Sequence, residues 1–206
     1  MTDESADARP RGVARIVRSE GRRALAVDGI VQSIEVIPNE PTPGYWPHML
    51  PDRPVERGLL LGLGGGTIAR LLLDANPGIK LLAVDDDEKV LAAAKRSLRL
   101  RIDDPRLTIR LGDAFATTRE LVTERASFDY IAIDLYRAAV FDRGAIARPF
   151  LRRVRELCAA DGIVAFNLIR DGTTGRRLRR IAQYLRIVET RLIGLNCVLL
   201  TRPIAP

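Results

Sequence analysis

The stretch from Gly58 to Asp87 limits what this chain can fold into more than any other. It opens GLLLGL, an uninterrupted apolar run of the length of a strand buried on both faces. Glycines then turn the chain, TIARLLLDA continues at helical spacing, and Asn76-Pro77-Gly78 stops it. IKLLAVD is a second buried strand ending at Asp85, nineteen residues beyond Gly66. This order sets the glycine turn at the carboxyl end of the first strand. Gly62, Gly64, Gly65 and Gly66 carry no Cβ there, so the turn can be tight and a bound molecule can approach the backbone.

The same alternation continues. DEKVLAAAKRSLRL reads as a helix opened by acids and closed by bases, which suits its dipole. LTIRLGD, FDYIAIDLY and IVAFNLI read as third, fourth and fifth strands. AFATTRELVTER and RPFLRRVRELCAADG read as the helices between them, the latter with Pro149 in its first turn and Gly162 just past its end. TGRRLRRIAQYLR is a last helix, and VETRLIG with NCVLLTRP closes the chain as a hairpin. The expectation is an α/β fold of Rossmann type: a mainly parallel seven-stranded sheet, helices on both faces, and an antiparallel pair at one edge. Before it, VARIV, RALAVDG and IVQSIEVI are separated by turn signals at Glu20-Gly21 and Asp28-Gly29, a small antiparallel unit of two or three strands. PNEPTPGYWPHMLPDRP is broken by proline into a connector. The chain therefore divides into a tail (1–12), a β unit with connector (13–57) and the α/β domain (58–206).

Composition excludes several classes. Of 206 residues, 47% are apolar and 29% charged, as in ordinary globular chains. No apolar run approaches the ~18 residues of a membrane helix, and Met1–Gly12 is too polar for a secretion signal. The two cysteines, Cys158 and Cys197, make neither a disulfide framework nor a metal knuckle, so a reducing cytoplasm and no metal are expected. A net charge of +7 and a pI near 10.1 raise the question of nucleic acid. The densest cluster, Arg176, Arg177, Arg179 and Arg180, has helical spacing and lacks interleaved aromatics, and reads as a solvated helix face.

Three constellations carry chemistry. A carboxylate at Asp85, with Asp86 beside it, can accept ribose hydroxyls in charge-assisted hydrogen bonds, which makes the glycine turn one half of a nucleoside site; Asp86 or Asp87 can instead cap the next helix. Asp113-Ala114, at the end of the third strand, lies where a carboxylate can take the exocyclic amine of adenine, or can cap a helix. Asp134, at the end of the fourth strand, comes after a mostly apolar run and can deprotonate or orient an amine, or serve as another cap. Asn167 ends the fifth strand at the same edge.

These residues, in this order, resemble the spermidine synthase family, within the class I S-adenosylmethionine-dependent methyltransferase fold. The likeness runs from about Leu25 to Ile169, through LAVDGIVQS, Tyr45 with His48-Met49, LGLGGGTIARLL, VDDDEKVLAAAK, DDPRLTIRLGDA and FDYIAID. It implies that Asp85 grips ribose, that Asp113 and Ala114 flank adenine, and that Asp134 is the catalytic aspartate. It sets Gln32, Tyr45, His48 and Tyr136 on the substrate side. The co-substrate would be S-adenosylmethionine or its decarboxylated form, the partner a small-molecule amine acceptor and, as is common in that family, a second copy of the chain. Two departures stand out. The family's loop carries an acid where this chain has Gly65, and its second acid after the catalytic strand is replaced by Arg137. The functions expected are therefore aminopropyl transfer to a polyamine, methyl transfer as the alternative, and nucleoside binding without catalysis as a third.

Overall fold

The computed structural model describes residues 12–98, 100–137 and 140–204. Most of the expected tail lies outside them. Strands β1 (Ala14–Ser19), β2 (Arg22–Val27) and β3 (Ile30–Ile34) form an antiparallel sheet in that order. Both connections are two-residue turns with positive φ at each position, 50° and 73° at Glu20-Gly21 and 49° and 79° at Asp28-Gly29. That conformation matches the twist of the paired strands and explains the Glu-Gly and Asp-Gly sequences. The connector makes one 3-10 turn, Trp46–Met49, whose Trp46 and Met49 are buried.

The remaining strands are β4 (Arg57–Leu61), β5 (Lys80–Asp85), β6 (Leu107–Leu111), β7 (Phe128–Ile133), the short pair β8 (Tyr136–Arg137) and β9 (Val140–Phe141), and β10 (Cys158–Ile169), β11 (Leu185–Ile193) and β12 (Asn196–Pro203). The helices are α1 (Thr67–Ala75), α2 (Glu88–Ser97), α3 (Ala114–Thr123), α4 (Arg148–Leu157) and α5 (Thr174–Ile181). Seven strands form one sheet in the order β11-β12-β10-β7-β4-β5-β6. All its neighbours are parallel except β12, antiparallel to both β10 and β11. The α/β expectation and the closing hairpin are met.

The LLL run of β4 shows why the sequence had to be apolar throughout. Leu60 packs with Leu72 of α1 and with Met49 on one side of the sheet. Leu59 and Leu61 point the other way, into a layer with Leu121 of α3, Phe150 and Leu151 of α4 and Ile181 of α5. All three leucines are fully buried, each contributing roughly 1.5–3 kcal/mol of apolar burial. Neighbouring β4 pairs with β5 on one side and β7 on the other, so the chain reverses its winding direction there. The turns after β4 and β7 meet at the carboxyl edge of this reversal, the edge where open α/β sheets hold ligands.

Two helix ends differ from expectation. The helix expected to end just before Gly162 stops at Leu157, and Cys158 already pairs with Phe128 of β7. The pairing then shifts register before Ile163, so Gly162 belongs to a bulge and not to a helix cap. Likewise α5 ends at Ile181, and Leu185-Arg186 begin β11. Nor is the arginine cluster uniformly solvated. Arg177 is buried: it pairs with Asp171 at 2.7 Å, donates to the Ile169 carbonyl at 2.8 Å, and lies over the Phe141 ring with its guanidinium carbon 5.0 Å from the centroid. Both cysteines are buried and unpaired. No helix among the described residues is long and apolar enough to cross a membrane.

Candidate active site

The turn after β4 is held in shape by side chains from two other elements. Asp85, at the end of β5, accepts Leu63 N–H at 2.9 Å and Gly64 N–H at 2.7 Å on Oδ2, and Asp87 N–H at 2.9 Å on Oδ1. Ser33 of β3 accepts Gly65 N–H on Oγ at 2.7 Å. Thr67, buried at the start of α1, both donates to the Ile34 carbonyl at 2.7 Å and accepts Ile34 N–H at 2.8 Å. The N-terminal sheet is thereby fastened to the glycine turn, which brings Gln32 to the cleft wall. Burial pushes the Asp85 carboxyl above its ordinary value, against the lowering effect of its backbone hydrogen bonds.

The glycines divide into two pairs. Gly62 and Gly64 line the cleft. Gly62, at φ 91°, lies so close to the Asp134 carbonyl that no side chain fits between them. Gly65 and Gly66, expected at the nucleoside, turn inward instead. A Cβ on Gly65 would meet Leu98 and Ser33 at 2.5 Å, and one on Gly66 would meet Leu100 at 2.7 Å. Without side chains there the turn packs against β3, Leu98 and Leu100, and neither glycine lines the cleft.

Asp134 comes directly after the last residue of β7 and is partly buried. Its Oδ2 accepts the Tyr45 hydroxyl at 2.8 Å and its Oδ1 accepts Asn167 Nδ2 at 2.9 Å. Asn167 Oδ1 in turn accepts Asn196 Nδ2 at 2.9 Å, and its backbone carbonyl accepts the Tyr136 hydroxyl at 3.1 Å. Burial raises the Asp134 carboxyl to about 6; the bonds from Asn167 and Tyr45 oppose that rise and the nearby charge of Asp85 adds to it. Burial, and then the Asp134 charge, hold the Tyr45 hydroxyl well above the usual phenol range, so it is a donor to Asp134 at neutral pH.

The cleft joins these parts. It is an open cleft of about 720 Å3, a volume that takes in the solvent space at its mouth. A nucleoside would therefore lie along the cleft and not in a closed cavity. Asp86, Asp113, Ala114 and Tyr136 line it. Asp113 also caps α3, its Oδ1 accepting Ala116 N–H at 2.7 Å, so both readings of that residue have a place. Tyr45 holds Asp134 without forming part of the wall, and the adjoining Trp46 lines the cleft in its stead. His48 is exposed and away from the cleft; its backbone carbonyl accepts Arg191 at 3.0 Å. The side chain of Arg137 lies outside the described residues. Sequence reading missed Ser33, Phe115 and Asp142 on the wall and Asn196 behind it. Ser33, next to Gln32, and Phe115, next to Ala114, had neighbours that could have flagged them.

Five carboxylates line the cleft, those of Asp85, Asp86, Asp113, Asp134 and Asp142, and no arginine, lysine or histidine does among the described residues. Such a wall attracts cations and repels phosphates or carboxylates. No three His, Cys, Asp or Glu side chains converge as a metal-ligand set among the described residues.

No family model matches the chain. The polyamine aminopropyltransferase of Vibrio vulnificus is 24% identical over 112 residues, covering 54% of this chain and 37% of that protein. The ribosomal RNA small subunit methyltransferase H of Nostoc is 42% identical over 69 residues, covering 34% of this chain and 21% of that protein. The chain thus spans well under two thirds of these curated relatives. Among solved structures, a probable spermidine synthase from Corynebacterium glutamicum superposes with a TM-score of 0.71 at 18% identity, over 93% of this chain and 77% of that one. Human methyltransferase-like protein 13, in complex with SAH, superposes with a TM-score of 0.65 at 22% identity, over 77% of this chain and 76% of that one. The fold of this chain is the one that S-adenosylmethionine-dependent methyltransferases and spermidine synthases share.

Proposed function

We propose that this chain is a transferase that binds an S-adenosyl sulfonium nucleoside across its glycine turn and passes an alkyl group, aminopropyl in the first instance, to an amine. The observation that carries this reading is the Asp134 carboxylate, held by Tyr45 and Asn167 against the turn at the carboxyl edge. Each carboxylate oxygen takes one of these hydrogen bonds and keeps a lone pair for an amine proton. In the reaction the amine nitrogen attacks the carbon attached to sulfur, and the carbon–sulfur bond breaks with its electron pair going to sulfur. The sulfonium leaves as a neutral thioether, and the proton lost by nitrogen passes to Asp134. A carboxyl near 6 is largely ionised at neutral pH yet more basic than an ordinary aspartate, as such a role requires. The acid-lined wall favours a cationic acceptor such as a polyamine.

One observation favours methyl transfer as the second reading. The acid that would hold the aminopropyl ammonium in the spermidine synthase pattern has no counterpart at Gly65, where Ser33 and Leu98 fill the space a side chain would need. The two readings release different thioethers. The chain is incubated with putrescine or spermidine and either S-adenosylmethionine or its decarboxylated form, and products are separated by mass spectrometry. Methylthioadenosine from the decarboxylated donor is the expected result. S-adenosylhomocysteine with a methylated amine selects the second reading. Absence of both thioethers across a panel of amines, with nucleoside binding intact, overturns transfer and leaves a binding protein.

A further inference from the structure

Asn196 lies behind the cleft, on the antiparallel strand β12, and touches nothing that would bind there. On the paired strands it sits opposite Ile169, two residues from Asn167 and on the same face of the sheet. Its Nδ2 donates to Asn167 Oδ1 at 2.9 Å, and Asn167 Nδ2 donates to Asp134 Oδ1 at 2.9 Å. Asn167 is 2% exposed, so water does not readily replace either partner.

We propose that Asn196 is a positioning residue that fixes the polarity of the Asn167 amide and thereby favours the ionised form of Asp134. The proposal rests on the reading of Asp134 as the proton acceptor. A side-chain amide has one donating end and one accepting end. An ionised carboxylate only accepts, so it requires the NH2 of Asn167. That choice turns the Asn167 oxygen away, into a buried position where it needs a donor, and Asn196 provides one. Were Asp134 protonated, its O–H could donate to the Asn167 oxygen, but the amide would have to turn over and present its NH2 to Asn196. Asn196 in its present orientation opposes that turn. The relay couples the protonation state at the cleft to a strand that never reaches it.

The other groups facing Asp134 do not substitute for this relay. Tyr45 donates to the opposite oxygen, Tyr136 donates to the Asn167 backbone, Tyr130 donates to the Met49 carbonyl, and Asp85 contributes only its charge.

The test is a titration that needs no turnover. The carboxyl carbon of Asp134 is followed by 13C NMR against pH in the wild type, Asn196→Leu and Asn196→Asp, with Asp134→Asn assigning the signal. Asn196→Leu removes the donor and is expected to raise the Asp134 midpoint by on the order of half to one pH unit. Asn196→Asp provides an acceptor in place of the donor, inverts the preferred amide orientation, and is expected to raise it further. Wild-type midpoints in both variants overturn the proposal. If Asn196→Asp does not fold, Asn196→Leu alone decides it. Where the wild type transfers an alkyl group, the acid limb of its pH–rate profile should move with the midpoint. A wild type without transfer activity removes the base assignment, while the titration still reports on the relay.

Discussion

The Cα of Gly62 faces the main-chain carbonyl of Asp134 with no room for a side chain between them. The glycine turn and the acidic edge of β7 are therefore one assembly: Asp134 N–H donates to the Leu61 carbonyl at 2.9 Å, and Gly62 packs directly beyond it. Gly62 also has φ 91°, a conformation that side chains rarely adopt. Gly62→Ala meets both obstacles. It is expected to lose about 2–4 kcal/mol of stability and to weaken nucleoside binding by displacing the turn. Gly78→Ala is the control, since nothing lies within 4 Å of the added methyl. Thermal unfolding and a nucleoside titration of the two variants check this; equal stability would mean that the turn yields without cost.

Asp134 makes activity and stability respond to pH in opposite senses. Proton acceptance needs the ionised form, so the transfer rate should fall about tenfold for each unit below pH 6 and level off above it. For stability, the carboxyl is raised in the fold relative to the unfolded chain. Its contribution is fully present below the unfolded value and is lost as pH rises through about 6. Asp134→Asn removes that dependence. It is expected to cost 100-fold or more in rate, on the order of the usual contribution of a general base, while being at least as stable as the wild type at pH 8. Unfolding midpoints at pH 4.5 and 8 for both proteins measure the difference, on the order of 1–2 kcal/mol.

Asp85 has a structural duty as well as an expected role at the ribose. Three of the roughly four acceptor positions of its carboxylate are taken by backbone N–H groups. It can offer a ribose one hydrogen bond without disturbing the turn, which leaves the second hydroxyl to the neighbouring Asp86 on the wall. Asp85→Ala should therefore destabilise the ligand-free protein by about 1–2 kcal/mol, since removing a partly buried charge offsets part of the lost bonding. A purely ligand-binding acid would leave the ligand-free unfolding temperature unchanged and abolish only its rise on adding nucleoside.

Much of this site was legible in the sequence because its signals are local. The apolar β4 run, the glycines and the acid at Asp85 lie within thirty residues of one another, and strand-end acids such as Asp113 and Asp134 are fixed by the strands that carry them. The features that escaped depend on contacts between distant segments. Nothing near Asn196 in sequence marks it as a partner of Asn167, because the antiparallel register of β12 sets that pairing. The exposure of His48 arises because Trp46 and Met49 take the buried positions of their 3-10 turn, which leaves His48 on the outer side. Arg177 looked like its neighbours in an arginine run until Phe141 and the end of β10 gave it a buried seat. The inward pair, Gly65 and Gly66, could not be told from the cleft pair by composition, since all four share one glycine-rich turn.

Gly65 allows the donor question to be tested from the protein side. An acid introduced there would match the spermidine synthase pattern, yet its Cβ would meet the Cβ of Ser33 and the Cδ1 of Leu98, each at 2.5 Å. The leucine tip can move, but Ser33 is fixed by its strand and by accepting Gly65 N–H. Gly65→Asp alone is therefore expected to lose about 1–3 kcal/mol through overpacking, with no gain for the decarboxylated donor. Adding Ser33→Gly opens the space at the expense of one acceptor. The double variant should regain part of the stability and shift donor preference toward the decarboxylated sulfonium, whose lone ammonium the new carboxylate could reach. Donor competition measured on the wild type and both variants checks the ordering. A single variant that folds as well as the wild type and already prefers the decarboxylated donor would show that Ser33 does not block the position.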